Sequence, residues 1–268
     1  MKKRIYIISA IFFAITTYLP FFIKYNNVSA DMRLSYLAIV IDDFGGYNRN
    51  GVSEMLSLDC NLTCAVMPAL ENTTADAEIA NQNGHEVIVH MPMEAHIDLP
   101  KEWYGNLYIK NNDTPQIARQ KLEQALSLVP YAKGVNVHIG SGVCQNKQII
   151  SELMQSLKNN DMYFCDSKTT SHSVCEDCAR DCGADFIERN EFLETTHNAD
   201  YQYARQTLIK SAKMALQNGY SVVIGHVGAE GGITTYQAIK DTLNDIANMG
   251  VEIVPLSKIV SVKYGRSM

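Results

Sequence analysis

The sequence lacks the features that mark several large classes of protein. No cluster of basic residues follows the first four positions, and the formal net charge is −6 at pH 7, so a surface for nucleic acid is not expected. No GxGxxG stretch follows the first apolar run, and no P-loop lysine motif occurs. These absences exclude the usual dinucleotide and nucleoside triphosphate sites. Internal repeats and low-complexity linkers are also missing, which favours one large domain.

The N-terminus has the pattern of a secretory signal. The basic residues Lys2–Arg4 precede the uncharged run Ile5–Ile23, and Val28–Ala30 offers small residues for cleavage before Asp31. An uncleaved membrane anchor is the alternative, because the run approaches the ~20 residues that span a bilayer. In both cases we expect residues 31–268 to be exported to the periplasm or cell envelope. Membrane contact is expected only through residues 1–30, if they stay attached.

Seven cysteines are consistent with export to an oxidising compartment, and we expect disulfides among them. Three of them lie in Val174–Gly183, where a zinc knot with His172 as the fourth ligand and a redox CxxC are the alternatives. The odd count leaves at least one thiol free or in an intermolecular bond. The seven are Cys60, Cys64, Cys144, Cys165, Cys175, Cys178 and Cys182.

Strand-like and helix-like segments alternate after residue 31. The strand candidates, mostly continuous apolar runs typical of strands covered on both faces, are Tyr36–Ile41, Leu62–Met67, Glu86–His90, Gly134–His138, Met162–Cys165, Asp185–Ile187, Ser221–His226 and Val251–Val254. Helices are predicted near residues 74–83, 115–128, 147–158, 204–216 and 239–246. This alternation predicts a parallel sheet closed or nearly closed into a barrel, with an open doubly wound sheet as the alternative. Ala95–Asp113, which holds the only tryptophan, Trp103, and Lys168–Gly183 are predicted to be long loops.

Five of the apolar runs end in a residue that can bind a metal or move a proton. In a parallel α/β fold the carboxyl ends of the strands share one rim, where ligands bind. Carboxylates and imidazoles that are distant in sequence are therefore expected to converge, and their combination predicts a divalent-metal hydrolase. The residues are Asp42 with Asp43, His90, His138, Asp166 and His226.

Five short motifs carry a resemblance to one family. In chain order they are Asp42–Gly45, His90–Glu94, Gly134–Ser141, Asp166–Thr169 and Ile224–His226. Together they resemble the divergent polysaccharide deacetylases (the YibQ-like proteins), a branch of the NodB-like carbohydrate esterase superfamily. The resemblance runs from about Tyr36 to Ser257. It implies an α/β fold, a NodB-like distorted (β/α) barrel of about seven parallel strands, as a catalytic domain within residues 31–268.

The resemblance also implies roles for the residues of the first motifs. Asp42 would be the general base, and Asp43 and His90 would be metal ligands. The standard family has a second ligand histidine four residues after the first, whereas this sequence has Glu94 there. His138, at the expected end of a strand, is the predicted replacement ligand, which gives a one-carboxylate, two-histidine site suited to hydrolytic zinc. Glu94 is a candidate fourth ligand or a partner that supports a ligand.

The later motifs supply candidates for proton transfer and substrate contact. His226 resembles the family's late histidine, the general acid that protonates the leaving group. Asp166 either orients His226, binds substrate or caps a helix. Arg189 follows the predicted strand Asp185–Ile187, and it either pairs with Asp42 or contacts substrate.

The resemblance implies a metal-dependent carbohydrate deacetylase that removes acetyl groups from a glycan, with zinc as the expected metal, and the N-terminal segment predicts its export. A non-catalytic glycan or cell-envelope binding protein on the same fold is the main alternative, because Glu94 makes the metal site non-standard. Another metal hydrolase, such as a phosphatase or an amidase, is the third candidate.

Overall fold

The computed structural model describes residues 34–195 and 199–266. The predicted signal or anchor at residues 1–30 lies outside these ranges, so its cleavage and the export of the chain stay predictions. Within the two ranges, no helix combines the length and the apolar character that crossing a bilayer requires.

Nine parallel strands of the described chain form one sheet. Eight of them follow the order β6-β5-β4-β3-β2-β1-β8-β7, and β9 pairs with the first residues of β1. The predicted NodB-like barrel of about seven parallel strands agrees with this architecture, and the additional strands are the short β7 and β9. The strands are β1 Ser35–Phe44, β2 Thr63–Val66, β3 Glu86–Met93, β4 Ala132–Ile139, β5 Tyr163–Asp166, β6 Phe186–Glu188, β7 Glu191–Phe192, β8 Tyr220–His226 and β9 Val251–Ile253.

The chain itself joins the two edges of the sheet. β6 and β7 lie at opposite ends of the strand order, yet only Arg189 and Asn190 separate them in sequence. The main-chain nitrogen of Arg189 donates to the oxygen of Asp166 at 3.0 Å, at the end of β5. That of Asn190 donates to the oxygen of Val222 in β8 at 2.8 Å. One short stretch therefore bridges both edges and curls the sheet into a distorted barrel.

Eight α-helices of the described chain accompany the sheet. They are α1 Val52–Leu56, α2 Thr73–Gln82, α3 Pro115–Leu128, α4 Lys147–Asn159, α5 Cys175–Cys182, α6 Tyr201–Asn218, α7 Gly232–Asn248 and α8 Leu256–Lys263. All five predicted helices are present among them. Two ends follow the expected capping chemistry: Thr114 Oγ1 accepts from Ile117 N at 3.3 Å before α3, and Gly219 ends α6 with a φ of 89°.

One loop prediction is confirmed and the other is wrong. The stretch Ala95–Asp113 is a loop whose helical part is a single 3₁₀ turn, Lys101–Tyr104. The stretch Lys168–Gly183 contains α5, which buries Cys175, Cys178 and Ala179 at helical spacing. Because this face consists of cysteine and alanine, it does not stand out in the sequence as an apolar stripe.

The cysteines are free thiols in this structure. The structure therefore does not support the expected disulfides, which stay a prediction. Cys144 and Cys175 are both buried, and their sulfur atoms and a carboxylate oxygen of Asp166 lie within 4.8 Å of one another.

Alternation along the strands divides the core into two parts. Ala38 and Val40 of β1 face the barrel interior together with Leu256 of α8, whereas Leu37 packs with the outer part of the core. Because successive side chains of a strand point to opposite sides, the interior set of β1 continues to Asp42 at the carboxyl end. The same alternation determines which polar side chains at the carboxyl ends of the other strands face the barrel interior.

We predict that Leu37→Ala lowers the free energy of unfolding by about 2–5 kcal/mol, because the side chain is fully buried on the central strand. Leu34→Ala is the matched control, since Leu34 is 64% exposed and its loss should change stability by less than about 0.5 kcal/mol. Urea denaturation followed by circular dichroism measures both values. Equal losses in the two variants would contradict the central position of β1.

Candidate active site

A cleft lies at the carboxyl ends of the central strands. β1, β3, β4 and β8 each bring polar side chains to it at the end of the strand. Because parallel strands end on the same side of the sheet, residues that are distant in sequence meet here. The polar and aromatic lining includes Asp42, Asp43, His90, His138, Ser167, Phe192, Glu194, His226 and Glu230.

Three side chains converge at one point of the cleft, and they are the three ligands that the sequence predicts. Asp43 Oδ1 lies 3.2 Å from His90 Nε2 and 3.1 Å from His138 Nδ1. The two nitrogens are 3.0 Å apart. All three atoms are close enough to contact one ion such as zinc, whose bonds to nitrogen and oxygen are about 2.0–2.2 Å long.

The far nitrogens of both imidazoles are bound to oxygen atoms. His90 Nδ1 lies 2.7 Å from Asn136 Oδ1, and His138 Nε2 lies 2.9 Å from the main-chain oxygen of Trp103. An oxygen acceptor requires a protonated nitrogen, so each neutral ring carries its proton on the far side. The facing nitrogens then present lone pairs to each other and to Asp43.

This arrangement fits a bound divalent cation. Asp43 Oδ1 is buried and makes no hydrogen bond to any described residue, and facing lone pairs at this separation repel unless a cation or a proton lies between them. Burial alone would raise the pKa of Asp43, but hydrogen bonds and positive charge from protonated His138 and His90 lower it well below its usual range. A proton on the imidazoles or a bound cation therefore favours the ionised carboxylate, which is the form that binds a metal. Two imidazoles and one carboxylate are a common ligand set of catalytic zinc.

Asp42 is buried next to the convergent atoms. Its Oδ1 accepts a hydrogen bond from Asn136 Nδ2 at 2.7 Å and lies 3.7 Å from His90 Nδ1. Asn136, itself fully buried, therefore holds both His90 and Asp42 with one amide. Burial raises the pKa of Asp42, although positive charge on protonated His90 or His226 opposes this. A raised pKa makes the ionised carboxylate a stronger proton acceptor, which suits a general base.

A bulge at the end of β1 allows two adjacent carboxylates to share the cleft. In a regular strand Asp42 and Asp43 would point to opposite sides. The register between β1 and β2 shifts between Ile41 and Phe44, and Asp43 has a φ of 71°. This left-handed conformation costs about 1–3 kcal/mol, and it accompanies the turn of the Asp43 side chain toward the imidazoles.

A buried carboxylate holds the segment that follows Asp43. Asp76 Oδ2 accepts a hydrogen bond from Gly45 N at 2.7 Å, and both oxygens of Asp76 accept from the Arg49 guanidinium at 2.6 Å. Gly45 has a φ of 89°, and a Cβ there would lie 2.9 Å from the main-chain oxygen of Met67. Charge-assisted hydrogen bonds therefore fix a turn that requires glycine. The sequence analysis missed Asp76, because it lies in a predicted helix and in none of the motifs.

His226 is held by a carboxylate that the sequence analysis also missed. Glu194 accepts hydrogen bonds from His226 Nδ1 at 2.9 Å and from its main-chain nitrogen at 3.1 Å, and Thr235 also donates to Glu194. Burial lowers the pKa of His226, but the hydrogen bond to Glu194 and the neighbouring negative charges raise it to about 10. His226 therefore carries a proton at neutral pH. Its Nε2 lies 3.6 Å from Glu230.

Asp166 belongs to a different part of the structure. Its Oδ2 accepts from Ser173 Oγ at 2.6 Å, and its Oδ1 accepts from Lys168 N at 2.8 Å. Phe164, two residues earlier on β5, packs with the outer part of the core. Asp166 therefore lies on the outer side of the strand and not on the side that faces the barrel interior. Burial raises its pKa. Asp166 holds the turn before α5, and the residue that orients His226 is Glu194.

The two additional candidates contact the surroundings of the cleft. Arg189 Nε donates to the main-chain oxygen of Ser167 at 2.9 Å, and its guanidinium lies 3.7 Å from the centre of the Phe192 ring. Glu94 Oε2 accepts from Asn111 N at 2.7 Å and so braces the loop after β3. Neither side chain belongs to the group of convergent ligand atoms. Contacts of Arg189 with substrate or of Glu94 with a metal stay predictions.

Comparison with known sequences identifies relatives of the chain. The sequence model of the family described as divergent polysaccharide deacetylase matches residues 39–260. The uncharacterized protein YibQ of Escherichia coli (strain K12) is 32% identical over 204 residues, which cover 74% of this chain and 60% of that protein. An uncharacterized protein of Haemophilus influenzae is 29% identical over 193 residues, which cover 72% and 66%. The chain therefore spans about three fifths to two thirds of the length of these curated relatives.

Solved structures share the fold. The crystal structure of an uncharacterized protein from Agrobacterium tumefaciens C58 has a TM-score of 0.77 and 17% identity, covering 85% of this chain and 89% of that one. The Xyl-CE4 domain of a multidomain xylanase, from the hindgut metagenome of Trinervitermes trinervoides, has a TM-score of 0.51 and 16% identity, covering 87% and 92%. At these identities the likeness bears on the fold alone, and it agrees with the predicted NodB-like barrel.

We predict that the chelator-treated protein binds about one equivalent of Zn²⁺, as measured by calorimetry. His138→Ala and Asp43→Asn should each lower the affinity at least about 100-fold, because each removes a ligand atom. Asn136→Ala should lower it about 10–100-fold, since His90 loses the acceptor that sets its tautomer. Asp161→Asn, at an exposed position before β5 and away from the cleft, is the control and should bind as the wild type does. Wild-type affinity in His138→Ala would remove that residue from the ligand set.

Proposed function

The chain belongs to the divergent polysaccharide deacetylase family, and from this premise we propose that it is an exported, zinc-dependent hydrolase that removes acetyl groups from a glycan. The observation that carries the proposal is the convergence of three ligand atoms beside a buried carboxylate, in a cleft that also holds a protonated imidazole. The family supports a glycan as the substrate. The basic and apolar pattern of residues 1–30 supports export.

Each proposed step uses groups of this chain that line the cleft. When bound, the divalent ion would supply Lewis-acid activation of the acyl group and of the attacking water. Asp42 would take a proton from that water. His226 would give its proton to the leaving nitrogen or oxygen of the sugar. Glu194 orients the imidazole of His226 and stabilises its positive charge, while Asn136 holds Asp42 in place.

The main alternative is a non-catalytic glycan-binding protein. The reason for it is that Glu94 occupies a position where the family usually has a ligand histidine. Three ligand atoms converge without Glu94, whose carboxylate accepts a hydrogen bond from Asn111. In addition, Asp42 and His226 line one cleft with perturbed pKa values that suit a base and an acid. Groups of this kind cluster at sites of acid–base catalysis. These observations favour hydrolysis over binding alone.

We predict that the zinc-loaded protein releases acetate from acetylated sugar oligomers, and that Asp42→Asn lowers kcat/KM about 10²–10⁴-fold because the general base is lost. The probes are N-acetylglucosamine oligomers and O-acetylated xylose oligomers, with acetate measured directly. Asp59→Asn is the matched control, since Asp59 is exposed and precedes β2 at the opposite end of the barrel. It should keep wild-type activity.

The same assay separates the three candidate functions. Acetate release that depends on Asp42 supports the deacetylase. Saturable binding of the oligomers by zinc-loaded wild type without acetate release would overturn the hydrolase and leave the glycan-binding alternative. Release of phosphate from phosphorylated sugars, in place of acetate, would assign another class of metal hydrolase.

The pH profile of kcat/KM tests the pairing of His226 with Glu194. The general acid must be protonated, and the hydrogen bond to Glu194 raises its pKa, so activity should persist above the pH at which an ordinary histidine loses its proton and should fall at higher pH. Glu194→Gln removes the neighbouring negative charge, so the pKa of His226 should fall and the alkaline limb should move to lower pH. Glu230→Gln, the control, removes a carboxylate that is 66% exposed and should shift the limb far less. An unchanged alkaline limb in Glu194→Gln would contradict the assignment of His226.

A further inference from the structure

The only tryptophan of the chain lies beside the convergent ligands. Trp103 belongs to the 3₁₀ turn Lys101–Tyr104 in the loop after β3, and its main-chain oxygen lies 2.9 Å from His138 Nε2. Its side chain is nevertheless 58% exposed. The backbone contact places Trp103 beside His138, at the edge of the cleft.

The exposure of Trp103 does not come from a loosely held loop. The neighbouring Tyr104 is 3% exposed, and its hydroxyl accepts a hydrogen bond from Ala95 N at 3.1 Å. Asn106 Nδ2 donates to the main-chain oxygen of Ala69 at 2.9 Å, which ties the loop to the connection between β2 and α2. The chain is therefore anchored directly after Trp103, while the indole stays in contact with water.

An anchored turn that leaves an indole in water forgoes the stabilisation that its burial would give. Lys101 and Glu102, which precede Trp103, are also exposed, so charged groups adjoin the indole along the chain. A protein partner would be expected to need a contiguous apolar patch of several hundred Å². A sugar ring fits better, because it offers one C–H face to an aromatic ring and hydroxyl groups to the polar surroundings.

We propose that the Trp103 indole is a stacking platform for a pyranose ring next to the acetylated unit, so that the substrate is an oligomeric or polymeric glycan rather than a small acyl compound. This inference rests on the proposed deacetylase function, since it places the reacting unit in the neighbouring cleft. The hydrogen bond between the Trp103 oxygen and His138 then ties the platform to the ligand that faces the reacting group. A glycan that bridges both would contact the loop after β3 and the rim of β4 at once.

The experiment uses the full chain, zinc-loaded, in the Asp42→Asn background, so that sugars bind without turnover. Because the chain has one tryptophan, its fluorescence reports on Trp103 alone. N-acetylglucosamine oligomers of one to five units are titrated, with sodium acetate as the control ligand. We expect a saturable change in tryptophan emission that strengthens from the monomer to the trimer, and no change with acetate.

Calorimetry then compares variants at the same position. Trp103→Ala should bind the trimer about tenfold or more weakly, because it loses a stacking contact of the kind that aromatic side chains make with nucleic-acid bases. Trp103→Phe should recover most of that affinity, which a merely structural role of the indole would not explain. Tyr131→Ala is the matched control, since Tyr131 is 52% exposed but precedes β4 at the other end of the barrel. Zinc titration of each variant verifies that the site is intact.

The outcomes separate this inference from the proposed function. Trimer binding by calorimetry with unchanged tryptophan emission, or equal affinity in Trp103→Ala and its parent, would overturn the platform while leaving the deacetylase standing. A Trp103-dependent affinity for the trimer, with no acetate release by the wild type, would support the platform and overturn the deacetylase.

Discussion

Three atoms that repel one another are held within 3.2 Å at the rim of the barrel, and much of the local structure serves that placement. The nitrogens of His90 and His138 turn their lone pairs inward because oxygen acceptors hold their far sides. Asp43 meets them from a left-handed bulge, which the buried carboxylate of Asp76 holds from behind. The left-handed conformation of Asp43 and the facing lone pairs are each unfavourable by themselves. Together they describe a preorganised site whose strain and repulsion a bound cation would relieve.

The cleft also separates the groups that would hold a cation from the groups that would move protons, and a few hydrogen bonds connect the two sets. Asn136 is the main connection, because one buried amide sets the tautomer of His90 and the position of Asp42. Glu194 orients His226 in the same way, by accepting a hydrogen bond from its Nδ1, and it stabilises the positive charge of the buried imidazole. The two proton-transfer groups thus receive different environments from the same fold. Each environment raises a pKa, which strengthens the carboxylate as a base and keeps the imidazole protonated.

The barrel and most of its rim could be predicted from the sequence, because both follow from local patterns. Apolar runs that end in residues such as Asp42 and His138 mark strand ends, and parallel connections bring those ends together. Asp166 fits the same pattern but not the same alternation, since β5 turns Cys165 toward the interior. Along each strand, the residue two positions before a strand-end residue points to the same side of the sheet. The part of the core in which it packs therefore indicates whether the strand-end residue faces the barrel interior, as Asp42 does, or the outside, as Asp166 does. Glu194 could not be found in this way, because its contact spans 32 residues of chain and depends on how β7 is laid against β8.

In the proposed metal site, His138 takes the place of the family's usual second histidine, so the position of the donor atom matters there more than the spacing of ligands along the chain. Neighbouring strands lie about 4.8 Å apart. The Nδ1 atom of His138 on β4 can therefore occupy the ligand position that a histidine four residues after His90 would fill. The residue at the usual position, Glu94, instead braces the loop after β3 by accepting a hydrogen bond from Asn111. That loop carries Trp103, whose main-chain oxygen sets the tautomer of His138. Glu94 and His138 are therefore coupled through one loop. A change at Glu94 should disturb the site, even though its carboxylate contacts none of the three ligand atoms.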